Sequence, residues 1–170
     1  MVLRLTEDDR KLEQLCRDFE GRVSSVAELA YINLPVVLKA TFQDEPEAQR
    51  SRVIAGDQAA YRRSTGTIYI NDSSFWLLPE HQRLSALAHE VGHALSHRQE
   101  LESLPAFAEL HDCQIADLLA CRWGFHTELR AERAGYYGQG YADALDLWQD
   151  EPAYSSAMAK WRALRAAGLG

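Results

Sequence analysis

Two histidines stand four residues apart around a glutamate in His89-Glu90-Val91-Gly92-His93. On an α-helix this spacing puts both imidazoles on one face, where they can hold one tetrahedral metal ion at about 2.0–2.1 Å. Glu90 projects beside the pair, within reach of a water on such an ion, and would take its proton and pass it to a leaving group. Gly92 costs a helix roughly 1 kcal/mol relative to alanine, which points to a packing or site requirement. Five-residue patterns arise by chance, but this one lies within an amphipathic segment of a chain with only 6 histidines. Metal-assisted hydrolysis with Glu90 as the catalytic base is the chemistry expected.

Catalytic zinc usually has three protein ligands and one open position, so a third ligand is needed. The segment Asp112-Cys113-Gln114-Ile115-Ala116-Asp117 offers Cys113. Asp112-Cys113-x-x-Ala116-Asp117 resembles the second motif of gluzincin metallopeptidases, a helix carrying N-E-x-x-[SA]-D or E-x-x-A-D. In size and arrangement the chain is similar to the small bacterial and phage proteins of the ImmA/IrrE kind, over roughly residues 65–125. The resemblance implies a zinc-dependent peptidase acting on a peptide or protein. It also implies a zincin-like, helix-rich α+β fold with a small, mainly antiparallel sheet and an edge strand of the Thr67-Ile68-Tyr69-Ile70 type over the motif helix. In that family the third ligand is a glutamate and the closing aspartate holds a motif histidine from behind.

This chain departs by carrying Cys113 at the ligand glutamate's position. A thiolate binds zinc well, at about 2.3 Å, so His89, His93 and Cys113 form the expected ligand set, with Asp112, then Glu109 and His111, as alternatives. Zn2+ is the expected metal, with Fe2+ as the alternative. Asp117, one turn after Cys113, would accept the distal N–H of His89 and fix its tautomer. His126, Tyr136, Tyr137 and Tyr141 are candidate donors to a developing oxyanion. Two rival readings stay open: a deformylase-like amidase, suggested by the His/His/Cys set, and a non-catalytic zinc-containing regulatory or binding module.

The rest of the chain must position these groups. Its 170 residues, 46% hydrophobic and 25% charged, fit a single domain spanning 1–170 with one sizeable core. The net charge of -7 argues against nucleic acid as partner. No apolar run is long enough for a bilayer, and no signal peptide is evident, so a cytoplasmic protein is expected. Three cysteines without a secretory signal argue against a disulfide framework, and Cys121 is expected in the core.

Apolar periodicity predicts a helix from Thr6 to about Gly21, a second over Ser24 to Asn33, and a long one over Glu80 to Arg98 with the histidine motif in its middle. Val53 to Tyr61 and Thr67 to Ile70, around the turn Arg63 to Gly66, predict a β-hairpin. Phe75-Trp76 would plug the core beneath the motif helix. A further helix is predicted from Pro105 to Trp123, stopped by Gly124, followed by helices over Thr127 to Ala134, Tyr141 to Trp148 and Ala153 to Ala167.

Overall fold

A computed structural model describes residues 7–23, 38–39, 58–71, 74–98 and 100–149, together with 159 and 163. The predicted helix over Ser24 to Asn33 lies outside these residues, as does nearly all of that over Ala153 to Ala167. The fold is helix-rich α+β. In chain order it contains α1 (Glu7–Val23), β1 (Leu38–Lys39), β2 (Ala59–Arg62), β3 (Thr67–Ile70), α2 (Glu80–Arg98), α3 (Asp112–Ala120), α4 (His126–Tyr137) and α5 (Gln139–Gln149). Among the described residues no helix is long and apolar enough to cross a membrane.

The central helix is α2, which packs against α1, β2, β3, α3 and α4. Leu84, Leu87, Ala88, Val91, Ala94 and Leu95 form the expected buried stripe, the leucines and Val91 each contributing about 1.5–3 kcal/mol on burial. Burial extends further round the helix than that stripe, to Ser85, Gly92 and Ser96, which line up with Ala88. These small residues recur at three- and four-residue steps and let a neighbour come close. That neighbour is α3: a Cβ built on Gly92 would lie 2.7 Å from the carbonyl oxygen of Ala116 and 2.9 Å from its Cα. Gly92 is therefore required by the crossing of the two helices that carry the candidate ligands.

The sheet has the order β1-β3-β2, with β1 parallel and β2 antiparallel to β3. The hairpin register pairs Ala59 with Ile70 and Tyr61 with Ile68, and Gly66, at φ +64°, makes the turn. Thr67 to Ile70 is thus the middle strand, buried at all four positions, and not the edge strand expected from the resemblance. Among the described residues, the strand beside α2 with no strand on its outer edge is β2. Alternate residues of an antiparallel strand turn their backbone groups away from the partner, here Ala59 and Tyr61.

The predicted helix from Pro105 to Trp123 is also corrected. Leu104 is extended and Pro105–Phe107 makes only a 3-10 turn; α3 starts at Asp112, after an extended His111. The Gln114 side chain accepts from the His111 N–H at 2.8 Å and closes that end. Gly124, at φ +96°, breaks the helical path between α3 and α4 within the wide turn Cys121–Phe125. Phe125 there stacks on Phe19 of α1 at 5.8 Å, and the Arg22 guanidinium lies 4.1 Å from its ring centre while donating to the Gly124 carbonyl at 2.8 Å. Phe75 is fully buried with Trp76 edge-on to it at 5.2 Å.

Candidate metal centre and its cavity

His89 and His93 sit on one face of α2, and their Nε2 atoms face each other at 3.1 Å. The contact is satisfied when one Nε2 donates its proton to the other, or when both give their lone pairs to one cation. Burial opposes charge on both rings. In His89 the hydrogen bonds to Asp117 and Cys113 outweigh it and push the ring up to about 10. In His93 burial, reinforced by the charge on His89, pulls the ring down to about 4. One of the two facing rings carries the proton.

Cys113 enters α3 beside them, and the ligand atoms of His89, His93 and Cys113 all lie within 4.8 Å of one another. For two nitrogens on one tetrahedral zinc, bonds of about 2.0–2.1 Å imply a separation of roughly 3.4 Å. The observed 3.1 Å is near that value, so the histidine pair is spaced for a zinc-sized ion. Cys16 and Cys121 are buried, and burial pushes their thiols up to about 11 and about 12. Cys113, half-buried, lines the cavity.

Asp117 is the hub behind the candidate ligands, 1% exposed. Its Oδ1 lies 2.7 Å from His89 Nδ1. Arg133 of α4 donates to it twice, from Nε to Oδ2 at 2.8 Å and from Nη2 to Oδ1 at 2.9 Å, and the Tyr141 hydroxyl donates to Oδ2 at 2.8 Å. Burial would raise this carboxyl, but hydrogen bonds from His89 and Arg133 win and hold it well below the usual carboxylate range. An ionised Asp117 is acceptor-only, so it keeps a proton on Nδ1 and leaves Nε2 as the atom of His89 that would give up its proton to ligate a cation beside His93 and Cys113.

Glu90 faces β2. Its Oε2 accepts from the outward N–H of Tyr61 at 2.6 Å, and its Oε1 lies 3.9 Å from His89 Nε2. The Tyr61 hydroxyl and His97 Nδ1 are 2.7 Å apart two helical turns beyond Glu90. These groups open on a cavity of about 550 Å³. His89, Glu90, His93 and His97 of α2 line it, with Gln58 to Arg63 along one side and Asp112, Cys113, Glu132, Arg133, Tyr136 and Tyr137 contributed by α3 and α4.

Of the four candidate oxyanion donors, Tyr136 and Tyr137 line the cavity. Tyr141 spends its hydroxyl on Asp117, and His126 sits 2.6 Å from Asp146 Oδ1, outside the lining. Among the alternative ligands, Glu109 is exposed and joins no potential metal-holding group among the described residues. His111 and Asp112 form a second such group with Cys113, although His111 Nδ1 and Asp112 Oδ1 already meet at 2.6 Å. Arg133 was not singled out by sequence reasoning, and neither was the Tyr61 amide; no local motif marks either. No family model, no curated protein and no solved structure matches this chain.

Proposed function

We propose that the chain is a zinc-dependent metallohydrolase of zincin-like fold that cleaves peptide bonds. The observation that carries this reading is the convergence of His89, His93 and Cys113 at one end of a cavity whose wall presents Glu90 and an open strand edge. A divalent cation held by these three residues would supply Lewis acidity, acidifying a water and polarising a carbonyl. Every other requirement falls to the chain itself. Glu90 takes the proton of the attacking water and delivers it to the departing amine. Asp117, clamped by Arg133 and Tyr141, holds His89 in the ligating tautomer. The outward backbone groups of Ala59 and Tyr61 pair with an extended peptide by strand addition, β2 replacing β3 in the role expected from sequence. The Tyr61 N–H that now holds Glu90 is one of these groups, so a bound peptide carbonyl would compete for it and free the carboxylate.

The second reading, a non-catalytic metal-holding module, draws on the separate His111, Asp112 and Cys113 group, which shares the cysteine and would offer a metal protein ligands away from Glu90. One pair of measurements separates the two. Glu90→Gln should keep zinc content and fold while lowering peptide hydrolysis by about 10²–10⁴-fold, the usual contribution of a positioned acid–base group. Retained hydrolysis would remove Glu90 from the mechanism. A wild-type protein that binds zinc, shows a cobalt spectrum of four protein ligands and cleaves no peptide would establish the module instead.

A further inference from the structure

Three large hydrophobic side chains stand exposed among the described residues: Leu77, Tyr136 and Tyr137. Two of them are neighbours at the end of α4, 70% and 63% exposed, and both line the cavity. The remaining apolar lining is small or engaged: Ala59, Ala60 and Ala86 are alanines, and the Tyr61 hydroxyl is held by His97. The cavity therefore combines space with one large aromatic surface.

That surface is backed from below. Tyr137 lies 5.1 Å, ring centre to ring centre, from Tyr141, whose hydroxyl is fixed on Asp117. The Arg133 guanidinium lies 6.0 Å from the Tyr137 ring and is fixed on the same carboxylate. The Tyr136 and Tyr137 rings are 6.4 Å apart and tilted by 46°. Gly138, at φ +88°, ends the helix immediately beyond. An exposed aromatic pair anchored to the buried hub is a platform, and a planar side chain resting on it would gain both area burial and ring-to-ring contact.

We infer that Tyr136 and Tyr137 form a specificity subsite that takes an aromatic side chain of a peptide paired with β2. This rests on the peptidase reading of the same cavity. An extended peptide projects alternate side chains to opposite faces, so a backbone held along Ala59 and Tyr61 directs one set into the cavity. The platform selects among them by ring, and the hydroxyls play no part in that selection.

The test is binding of fluorescent acetylated Gly/Ser hexapeptides, with a single Phe walked through the six positions, to the zinc-loaded Glu90→Gln protein. One register should bind about tenfold more tightly than the Phe-free peptide. Tyr136→Ala/Tyr137→Ala should bring the Phe peptide down to the Phe-free affinity, while Tyr136→Phe/Tyr137→Phe keeps the preference. Circular dichroism and zinc content certify that each variant is folded. No preference for any Phe register, an undiminished preference in the alanine pair, or its loss in the phenylalanine pair would each overturn the subsite. Hydrolysis of the preferred peptide by the Glu90 protein is read separately: selective binding without cleavage sustains the subsite and rejects the peptidase reading.

Discussion

Replacing Gly92 by alanine tests the helix crossing on which the candidate centre depends. In an open helix the change would stabilise the protein by about 1 kcal/mol through helix propensity. Here the new Cβ would lie 2.7 Å from the Ala116 carbonyl oxygen and 3.2 Å from its carbonyl carbon, and reaching ordinary contact near 3.4 Å requires α3 to retreat by about 0.7 Å. The obstruction is backbone, so no side-chain rotation relieves it. Overpacking of this kind costs about 1–3 kcal/mol, occasionally more, which cancels or exceeds the propensity gain. The retreat also carries Cys113 and Asp117 away from the histidines, and a displacement of about 0.7 Å is large against the roughly 0.2 Å tolerance of metal-ligand distances. Zinc affinity should fall at least as far as on loss of an outer-shell partner, about 10–100-fold. Urea denaturation and zinc competition with a chromophoric chelator measure the two effects. Gly21→Ala in α1, where a Cβ meets nothing within 4 Å, should gain the stability that Gly92→Ala forfeits. A Gly92→Ala protein more stable by about 1 kcal/mol, with unchanged zinc affinity, would refute the close crossing.

Two further substitutions probe the ligands and their support. Cys113→Ala should sharply lower zinc content, measured by atomic emission; undiminished binding would move the third ligand elsewhere. Asp117→Asn should weaken zinc binding by about 10–100-fold and cost about 3–5 kcal/mol at neutral pH, because it breaks a buried charge pair. The Asp117 carboxyl is held below its unfolded value of about 3.9, so its stabilisation is present above about pH 4 and lost as acid carries the pH down through the folded value. Wild type and Asp117→Asn should therefore converge in stability on acidification, and parallel denaturation curves down to the lowest accessible pH would contradict that account.

What was legible in the sequence was what local spacing encodes. The four-residue step of His89 and His93, the position of Cys113 and the reach of Asp117 toward His89 all follow from helical geometry, and the structure brings these four side chains together. The hairpin was legible too, but its edge was assigned to the wrong strand. Thr67-Ile68-Tyr69-Ile70 is apolar or β-branched throughout, the pattern of a strand covered on both faces, whereas Ala59 to Arg62 turns polar toward its end as an edge does. The long helix expected from Pro105 failed because its apolar spacing continued across an extended His111 that only the tertiary path reveals. Arg133 was illegible for a different reason. Its partner is 16 residues away on another helix, and no spacing rule links them.

The hub at Asp117 also sets an order of events during synthesis. The carboxylate is made well before its last partner, since Tyr141 follows it by 24 residues. At about 5–20 residues per second, that gap is roughly 1–5 s of elongation. Through this interval the nascent chain carries both histidines, the cysteine and Glu90, but Asp117 is without its full set of donors. Completion of the Asp117 cluster is thus timed to the arrival of α5, and until then the candidate centre lacks the last group that fixes its support.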